Sequence, residues 1–315
     1  MNRGRGEAAM VPRAEPASYY GRPVIKPPVW SAEVPWYLFA GGLAGASAVL
    51  GTAADAAGNH TLARRAWLLA SAGVTASPPL LVSDLGRPER FLNMMRVFKV
   101  TSPMSMGSWI LAASGGATTV ATAHELFGWF GRLGPLAKLA STALGPALAT
   151  YTGVLVADTA VPAWHEGYRE MPFVFTGSAA MASGGLGLFA APLSESQPAR
   201  NLAVFGVGIE AAAFERMTRR MGMAAEPYRS GRAGAYIRAG QALSVLGVAG
   251  ALLGRAGGRR GRVISALAGA SLLAASAATR WGIFHAGLAS AADPKYTVVP
   301  QRDRLRSRAT GSPPP

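Results

Sequence analysis

Long apolar stretches separated by short polar segments recur along the whole chain. Each stretch approaches the length of about 20 residues that an α-helix needs to cross a bilayer. They are rich in Ala, Gly, Leu and Val, and such small residues let helices pack closely inside lipid. The pattern predicts an all-α integral membrane protein with eight transmembrane helices, which could divide into two four-helix bundles. The predicted spans are 34–57, 62–83, 103–126, 134–158, 171–192, 198–217, 234–254 and 261–289.

The spans divide the chain into three segments. Residues 1–33 form an N-terminal extramembrane segment, 34–289 an eight-span membrane domain, and 290–315 a C-terminal extramembrane tail. The first segment contains Arg, Pro and Glu without an apolar core, so no cleavable signal peptide is predicted and the first span itself directs insertion. The tail after Asp293 is basic and ends in Gly-Ser-Pro-Pro-Pro, which predicts a flexible segment.

Composition narrows the class of protein. Half of the 315 residues are hydrophobic, only 15% are charged, and the mean hydropathy is +0.22, whereas about a quarter of the residues in a soluble domain are charged. The absence of cysteine excludes disulfides, thiolate metal sites and any iron–sulfur cluster held by this chain. An ordinary cytosolic enzyme and a disordered chain are both excluded.

The net charge of +15 reflects an unequal distribution of basic residues. With eight spans, 21 Lys and Arg lie on the side that carries both termini, nine lie on the opposite side, and Arg280 lies within a span. The positive-inside rule then predicts a multi-pass protein of the cell membrane with both termini in the cytoplasm. The excess of basic residues is therefore interpreted as a sign of how the chain is oriented in the membrane. No nucleic-acid partner is predicted.

Several ionisable residues fall inside the predicted spans, where a charge is costly unless it is paired or functional. Asp84, Asp158 and Glu210 lie in the later part of their spans, while Arg280 lies nearer the middle and His285 closer to the termini side. One interpretation makes the two aspartates interfacial caps and pairs Glu210 with Arg280. The other gathers these groups, in the half of the bilayer next to the termini, into a polar cavity for a quinone that exchanges protons.

Histidine positions bear on whether the chain holds a haem. A six-coordinate b-type haem needs two axial histidines at one level, but His124 and His285 fall in opposite halves of the membrane. His60 and His165 lie in connections. No haem is therefore predicted.

The connection at 84–109 is the most distinctive segment. Within it, residues 89–99 place Phe91, Met94, Met95 and Phe98 on one helical face, with basic residues elsewhere. This spacing predicts a short amphipathic helix lying in the membrane interface. Thr101 or Ser102, followed by Pro103, then starts the third span.

Three segments carry a resemblance to a known family. Asp-Leu-Gly-Arg-Pro-Glu-Arg-Phe at 84–91, with Phe-Lys-Val-Thr-Ser-Pro-Met-Ser-Met-Gly-Ser-Trp at 98–109, resembles the signature of the NrfD/polysulfide-reductase membrane-subunit family. Residues 151–166, which include Val-Pro-Ala-Trp-His-Glu, and Ser-Ala-Ala-Asp-Pro-Lys-Tyr-Thr-Val-Val-Pro-Gln-Arg at 290–302 are also similar to it. The resemblance extends over nearly the whole chain, from about residue 19 to 302.

The resemblance implies a membrane anchor and quinone-binding subunit of a respiratory oxidoreductase, with eight spans in two four-helix bundles. Such a subunit exchanges electrons between menaquinone or menaquinol, held non-covalently, and a ferredoxin-like partner with four [4Fe–4S] clusters. That partner is bound in turn to a molybdopterin catalytic subunit. Haem is absent, and iron–sulfur clusters and molybdopterin belong to the partners alone. Polysulfide, nitrite, tetrathionate and formate chemistry all occur in the family, so this subunit does not reveal the substrate.

The resemblance also points to site residues. Asp84 and the pair Tyr19 and Tyr20 are the first quinone-site candidates, and Arg87 belongs to the same motif as Asp84. The remaining candidates for quinone binding or proton relay are Asp158, Glu210, Arg280 and His285.

Two other functions stay open at the level of sequence. One is a proton-translocating or transporter module without quinone chemistry of its own, in which Glu210, Arg280 and His124 line a path. The other is a purely structural anchor. Many family members also face a periplasmic partner, whereas the distribution of basic residues places the candidate cavity on the cytoplasmic side.

Overall fold

The computed structural model describes residues 22–310, with side chains to residue 306, so Tyr19 and Tyr20 lie outside the described residues. The described residues form twelve α-helices and no strand. The helices are α1 (Glu33–Ala56), α2 (His60–Asp84), α3 (Arg90–Met94), α4 (Pro103–Phe127), α5 (Leu133–Ala157), α6 (Pro162–His165), α7 (Met171–Ala190), α8 (Gln197–Arg220), α9 (Glu226–Arg229), α10 (Gly231–Leu253), α11 (Gly258–Ala292) and α12 (Lys295–Thr310).

Each of the eight predicted spans corresponds to one long helix. Six of these helices, α1, α2, α5, α7, α10 and α11, are long and apolar enough to cross a membrane. The other two, α4 and α8, have the length but do not meet the same standard of apolarity, and α8 carries several charged side chains. The fold is thus all-helical and of a multi-pass membrane type.

For description we divide the eight long helices into a first helix set (α1, α2, α4 and α5) and a second helix set (α7, α8, α10 and α11). In the first set α1 packs on α2 and α5, and α4 packs on α2 and α5; in the second set α7 packs on α8 and α11, and α10 packs on α11. Helices α1 and α5 of the first set also pack against α7. We call the face where α1 begins and α2 ends the proximal face, and the face where α1 ends and α2 begins the distal face.

Small residues allow this packing. Gly45 of α1 and Gly145 of α5 face each other so closely that a Cβ on either would meet the other's carbonyl oxygen. Gly177 of α7 and Gly206 of α8 are in the same relation. The side chains at these crossings are small. Contact between the backbones therefore supplies the van der Waals attraction that holds helices together in lipid.

The predicted interfacial helix at 89–99 is shorter than expected. Only Arg90–Met94 is helical, because the chain beyond it folds back onto the start of α4. There the Val97 carbonyl accepts hydrogen bonds from Ser105 Oγ at 2.8 Å and from Trp109 Nε1 at 3.3 Å, and Phe98 packs edge-on against Trp109. These side-chain bonds replace the helical ones that spacing alone predicts.

The C-terminal segment also differs from the expected flexible tail. Helix α11 extends to Ala292, and α12 follows after a break at Asp293. Lys295 and Tyr296, in the first turn of α12, both bind Glu226 of α9, at 3.0 and 3.2 Å. Tertiary contacts therefore hold a polar sequence in helical form.

Candidate functional site

Asp84 lies at the last position of α2 and joins two helix ends at the proximal face. Its Oδ1 accepts hydrogen bonds from the backbone N–H of Ser31 at 3.0 Å and from Ser31 Oγ at 2.6 Å. Ser31 in turn accepts a bond from the N–H of Val34 in the first turn of α1. The half-buried carboxylate therefore fixes the position at which the chain enters α1.

An aromatic wall extends from this junction. Trp30, which precedes Ser31, stacks on Trp164 of α6 with ring centroids 5.0 Å apart. Trp164 is 1% exposed, and its Nε1 donates to the Ile283 carbonyl at 2.7 Å. Gly287 of α11 lies against the indole, and a Cβ there would overlap the ring. The wall connects the first helix set to the second at the proximal face.

Of three other sequence candidates, two lie at the surface, and the third, His285, is joined to the wall through Phe284, whose ring packs against those of both Trp164 and His285. Asp158, immediately after α5, and Arg87, in the connection after α2, are exposed. His285 is half-buried in α11, where its ring stacks on Tyr236 at 5.5 Å and packs against Trp281 at 5.7 Å. His285 therefore contributes its ring to the contact between α10 and α11, and its role at a quinone site stays a prediction.

Arg280 is the most deeply buried cation among the described residues. It is 1% exposed and lies in α11 about 18 Å along the axis from Ala292. Its Nη2 donates to the Phe175 carbonyl of α7 at 2.9 Å, and the guanidinium carbon lies 3.9 Å from the centroid of the Phe175 ring. Nε and Nη1 are buried without a hydrogen-bond partner among the described residues. Such donors are ordinarily satisfied by water or by a bound acceptor.

Glu210 of α8 lies near Arg280 but does not form an ion pair with it. Its Oε1 accepts a hydrogen bond from Thr279 Oγ1 at 2.6 Å, while Oε2 is buried without a partner among the described residues. The carboxyl group borders a cavity of about 290 Å³ between α8, α10 and α11, into which Gln241 and Ser244 also face. The alternative in which Glu210 simply pairs with Arg280 does not describe this arrangement.

The candidates therefore form two centres. Asp84 lies at the proximal edge of the first helix set and Glu210 lies within the second set, while Arg280 lies where α7 and α11 meet α1, with Nη2 3.2 Å from the position of a Cβ on Gly42. Asp84 bonds Ser31, whereas Glu210 bonds Thr279 and Arg280 bonds the Phe175 carbonyl. One of the two sequence interpretations gathered these residues in one polar cavity, because linear position gives the depth of a residue in the membrane but not the helix it faces.

Two ionic clusters were missed by sequence reasoning. At the distal face, Lys138 of α5 bonds Asp55 of α1 at 2.6 Å and also contacts Glu125 of α4. At the proximal face, the Glu170 side chain is 5% exposed and binds Arg220 through both carboxylate oxygens. The hydrogen bonds from Arg220 hold the pKa of Glu170 below its usual range. Lys138, the fifth residue of the predicted span 134–158, was the sequence signal that could have revealed the cluster at the distal face.

A cleft of about 690 Å³ opens on the proximal face outside the long helices. It lies between the connection that contains α6, the turn after α8, and α12. Its lining includes His165, Glu166, Arg220 and Tyr296. Charged and polar groups of both signs therefore surround an extramembrane hollow beside the aromatic wall.

Comparison with protein-family models identifies a family that this chain matches. The family model described as "Polysulphide reductase, NrfD" matches residues 24–204, which is more than half of the chain and includes Asp84, Trp164 and Glu170. No curated protein matches the sequence.

Proposed function

The chain belongs to the NrfD family of membrane subunits of oxidoreductase complexes, and from this premise we propose that it is a quinone-reactive subunit. In this role it exchanges electrons between menaquinone or menaquinol and a ferredoxin-like iron–sulfur subunit, which passes them to or from a molybdopterin catalytic subunit. The membrane anchor role follows from the family and from the apolar helices. The quinone chemistry and the particular partners are the proposal, as is the arrangement of eight spans in two four-helix bundles.

The observation that carries the proposal is the position of Asp84. A half-buried carboxylate stands at the proximal end of α2, beside the aromatic wall of Trp30 and Trp164. Flat aromatic rings offer a surface on which a quinone ring stacks, and a carboxylate beside it accepts or returns the proton that accompanies each electron. Asp84 of α2, Trp30 before α1 and Trp164 of α6 together supply this combination at the proximal face, where the proximal cleft also lies.

The site needs no group of its own that carries electrons. A quinone held at the proximal face lies at the edge of the membrane, where an extramembrane iron–sulfur subunit reaches it. The protein's own residues position the ring, exclude water from the acyl region and move protons. Arg87, which is exposed in the connection after α2, can bind an acidic surface of the partner or the quinone headgroup.

The test is to purify the intact complex and compare Asp84→Asn with Asp158→Asn. Both substitutions remove a carboxylate at the proximal face, but Asp158 is exposed and serves as the control. We expect the wild-type complex to contain menaquinone and Asp84→Asn to lower quinone-linked turnover by about a hundredfold, the scale of a lost proton acceptor. Wild-type turnover in Asp84→Asn indicates a purely structural anchor. A stoichiometric haem absorption band overturns the assignment.

A second candidate function rests on the centre in the second helix set. Glu210 and Arg280 carry buried polar atoms without partners among the described residues, which is unusual in a membrane interior unless protons or ions pass nearby. A proton-translocating module without quinone chemistry would use such a centre. Proton uptake by proteoliposomes that contain the chain without redox partners favours this candidate, and quinone-dependent turnover lost in Asp84→Asn favours the first.

A further inference from the structure

A groove of about 360 Å³ opens at the distal end of the second helix set, between the first turns of α8 and the end of α10. Its lining is polar and basic at the distal end and apolar further into the membrane. The basic end is formed by Gln197, Arg200 and Arg255, and the apolar side by Val204, Phe205 and Leu252. These three apolar side chains are exposed on the outer surface of the helices, where a multi-pass protein meets lipid. The groove therefore has the two-part character of an amphipathic ligand.

Arg200 is built into the wall of this groove. It is 5% exposed, and its Nε donates at 2.7 Å to the carbonyl of Ala251, one of the last carbonyls of α10 that have no partner within the helix. Its other hydrogen bonds go to Gln197 Oε1 at 3.0 Å and Ser196 Oγ at 3.1 Å. All three acceptors are neutral, and a guanidinium has more N–H donors than these three bonds use. Arg200 is therefore held in a fixed position with its charge uncompensated.

Arg255 brings a second positive charge to the same place. It is exposed in the turn after α10, and its Nη2 lies 3.5 Å from the Gln197 oxygen to which Arg200 donates. Gln197 is itself held by a hydrogen bond from its Nε2 to Asn201 Oδ1 at 2.7 Å. One amide oxygen therefore lies between two guanidinium groups, and a fixed side chain keeps it there.

The surrounding sequence supplies no acid to balance these charges. Residues 196–209 and 227–292, which include the distal halves of α8 and α10 and all of α11, contain no Asp or Glu. The acid that precedes α8, Glu195, accepts a hydrogen bond from the Leu62 N–H of α2 at 2.9 Å. Arg259 and Arg260, exposed in the first turn of α11, add positive charge at the same end of the set. An anion is thus the ligand that the charge of this region attracts.

We propose that the groove binds an anionic phospholipid, with its phosphate between Arg200 and Arg255 and an acyl chain along Val204 and Phe205. Planar guanidinium groups form paired, charge-assisted hydrogen bonds with phosphate oxygens, and basic pockets between transmembrane helices bind anionic lipid headgroups. A soluble anion has no use for the apolar side of the groove, and an acidic protein surface does not follow a helix into the membrane. The proposal does not depend on quinone chemistry.

A lipid in this position joins two helix pairs of the second set. Helix α8 packs mainly on α7, and α10 packs mainly on α11. The phosphate bound to Arg200 of α8 and to Arg255 after α10 links these pairs at the distal face. Because the lipid binds the folded protein, it raises the thermal midpoint of unfolding.

The test titrates the purified full-length protein in detergent with phosphatidylglycerol and with phosphatidylcholine of the same acyl chains, and counts bound lipids by native mass spectrometry. Arg255→Gln is the informative variant, because Arg255 is exposed, whereas Arg200 also bonds the end of α10. Arg65→Gln removes an exposed arginine of α2 near the distal face and is the matched control. We expect wild type to bind phosphatidylglycerol about tenfold more tightly than phosphatidylcholine. Arg255→Gln should weaken phosphatidylglycerol binding about fivefold, and Arg65→Gln should resemble wild type.

A second pair of variants tests the apolar side. Val204→Trp fills the groove without changing its charge and should weaken phosphatidylglycerol binding, whereas Leu246→Trp, at an exposed position of α10 outside the groove lining, should not. Phosphatidylglycerol should raise the thermal midpoint of wild type more than that of Arg255→Gln, and inorganic phosphate should not reproduce this effect.

Four results overturn the proposal. They are equal affinity of wild type for the two lipids, equal phosphatidylglycerol binding by Arg255→Gln and Arg65→Gln, wild-type binding by Val204→Trp, and stabilisation by inorganic phosphate as large as that by phosphatidylglycerol. The last two indicate a simple anion site, and the second indicates attraction to the general charge of the distal face. None of the four bears on the quinone site, which is tested separately by Asp84→Asn.

Discussion

The Glu170–Arg220 pair gives a stability prediction that depends on pH. Arg220, the last residue of α8, donates from Nε to Glu170 Oε1 at 3.0 Å and from Nη2 to Oε2 at 2.7 Å, and Nη2 also donates to the Glu166 carbonyl. Glu170 immediately precedes α7. Glu170→Gln keeps the shape of the side chain and one acceptor oxygen but removes the negative charge.

The expected loss in the free energy of unfolding follows from how deeply Glu170 and Arg220 are buried. Breaking a fully buried ion pair costs about 3–5 kcal/mol, and a hydrogen bond to a charged group contributes about 1.5–3 kcal/mol. The Glu170 side chain is 5% exposed but that of Arg220 is 28% exposed, so water compensates part of the loss. We expect Glu170→Gln to lower the free energy of unfolding by about 2 kcal/mol, or the thermal midpoint by about 3 °C.

The assay is thermal unfolding of the purified protein in detergent at several pH values. The pKa of Glu170 is lowered in the folded state by its bonds with Arg220. Its contribution is therefore fully present above the unfolded pKa, near 4.3, and is lost as the pH falls through the folded value. The difference between wild type and Glu170→Gln should be constant near neutral pH and should shrink in acid.

The control is Glu215→Gln, because Glu215 forms an exposed pair with Arg219 on the same helix. Exposed pairs contribute at most about 1 kcal/mol, so this variant should unfold close to wild type. A Glu170→Gln midpoint equal to that of the control would refute the reasoning. A difference that grows as the pH falls would refute the sign of the effect.

Two further predictions concern the backbone. Gly145→Leu places a side chain against the Gly45 carbonyl and forces α1 away from α5. It should destabilise the protein by about 3 kcal/mol or more, which is measured as loss of monodisperse protein in detergent. A variant that stays monodisperse would contradict the close crossing. Phe130 has a left-handed φ of 68° that L side chains rarely adopt. Phe130→Gly should raise the free energy of unfolding by about 1 kcal/mol in the same detergent, and a decrease would show that the exposed ring contributes more than the strain costs.

Periodicity and composition predicted the long helices well because lipid imposes one simple requirement. A stretch that crosses the bilayer must satisfy its backbone internally and be apolar over about 20 residues, so the predicted 134–158 agrees closely with α5 (Leu133–Ala157). The same logic fails outside the bilayer. The polar helix α12 is held by contacts to Glu226, and no local sequence pattern predicts those contacts.

The candidate sites were predicted less well because they depend on which helices face each other. Thr279 and Arg280 are neighbours in sequence, but they point about 100° apart around α11, so one binds Glu210 and the other binds the Phe175 carbonyl. The hydroxyl pairs Thr52–Thr142, between α1 and α5, and Thr118–Ser141, between α4 and α5, depend in the same way on helix register. The sequence identifies the polar residues of a membrane interior, and only the packed structure gives their partners.

Arg280 also constrains how the protein is assembled in the membrane. An arginine at the centre of a lone helix costs about 2.5–3.5 kcal/mol during insertion, and the Phe175 carbonyl and ring that receive it belong to α7, made about 100 residues earlier. Helix α11, the longest at 35 residues, therefore inserts most favourably when α7 is already in place as a docking partner. Biogenesis of the second helix set then follows the order of synthesis, with α11 as the helix that completes it.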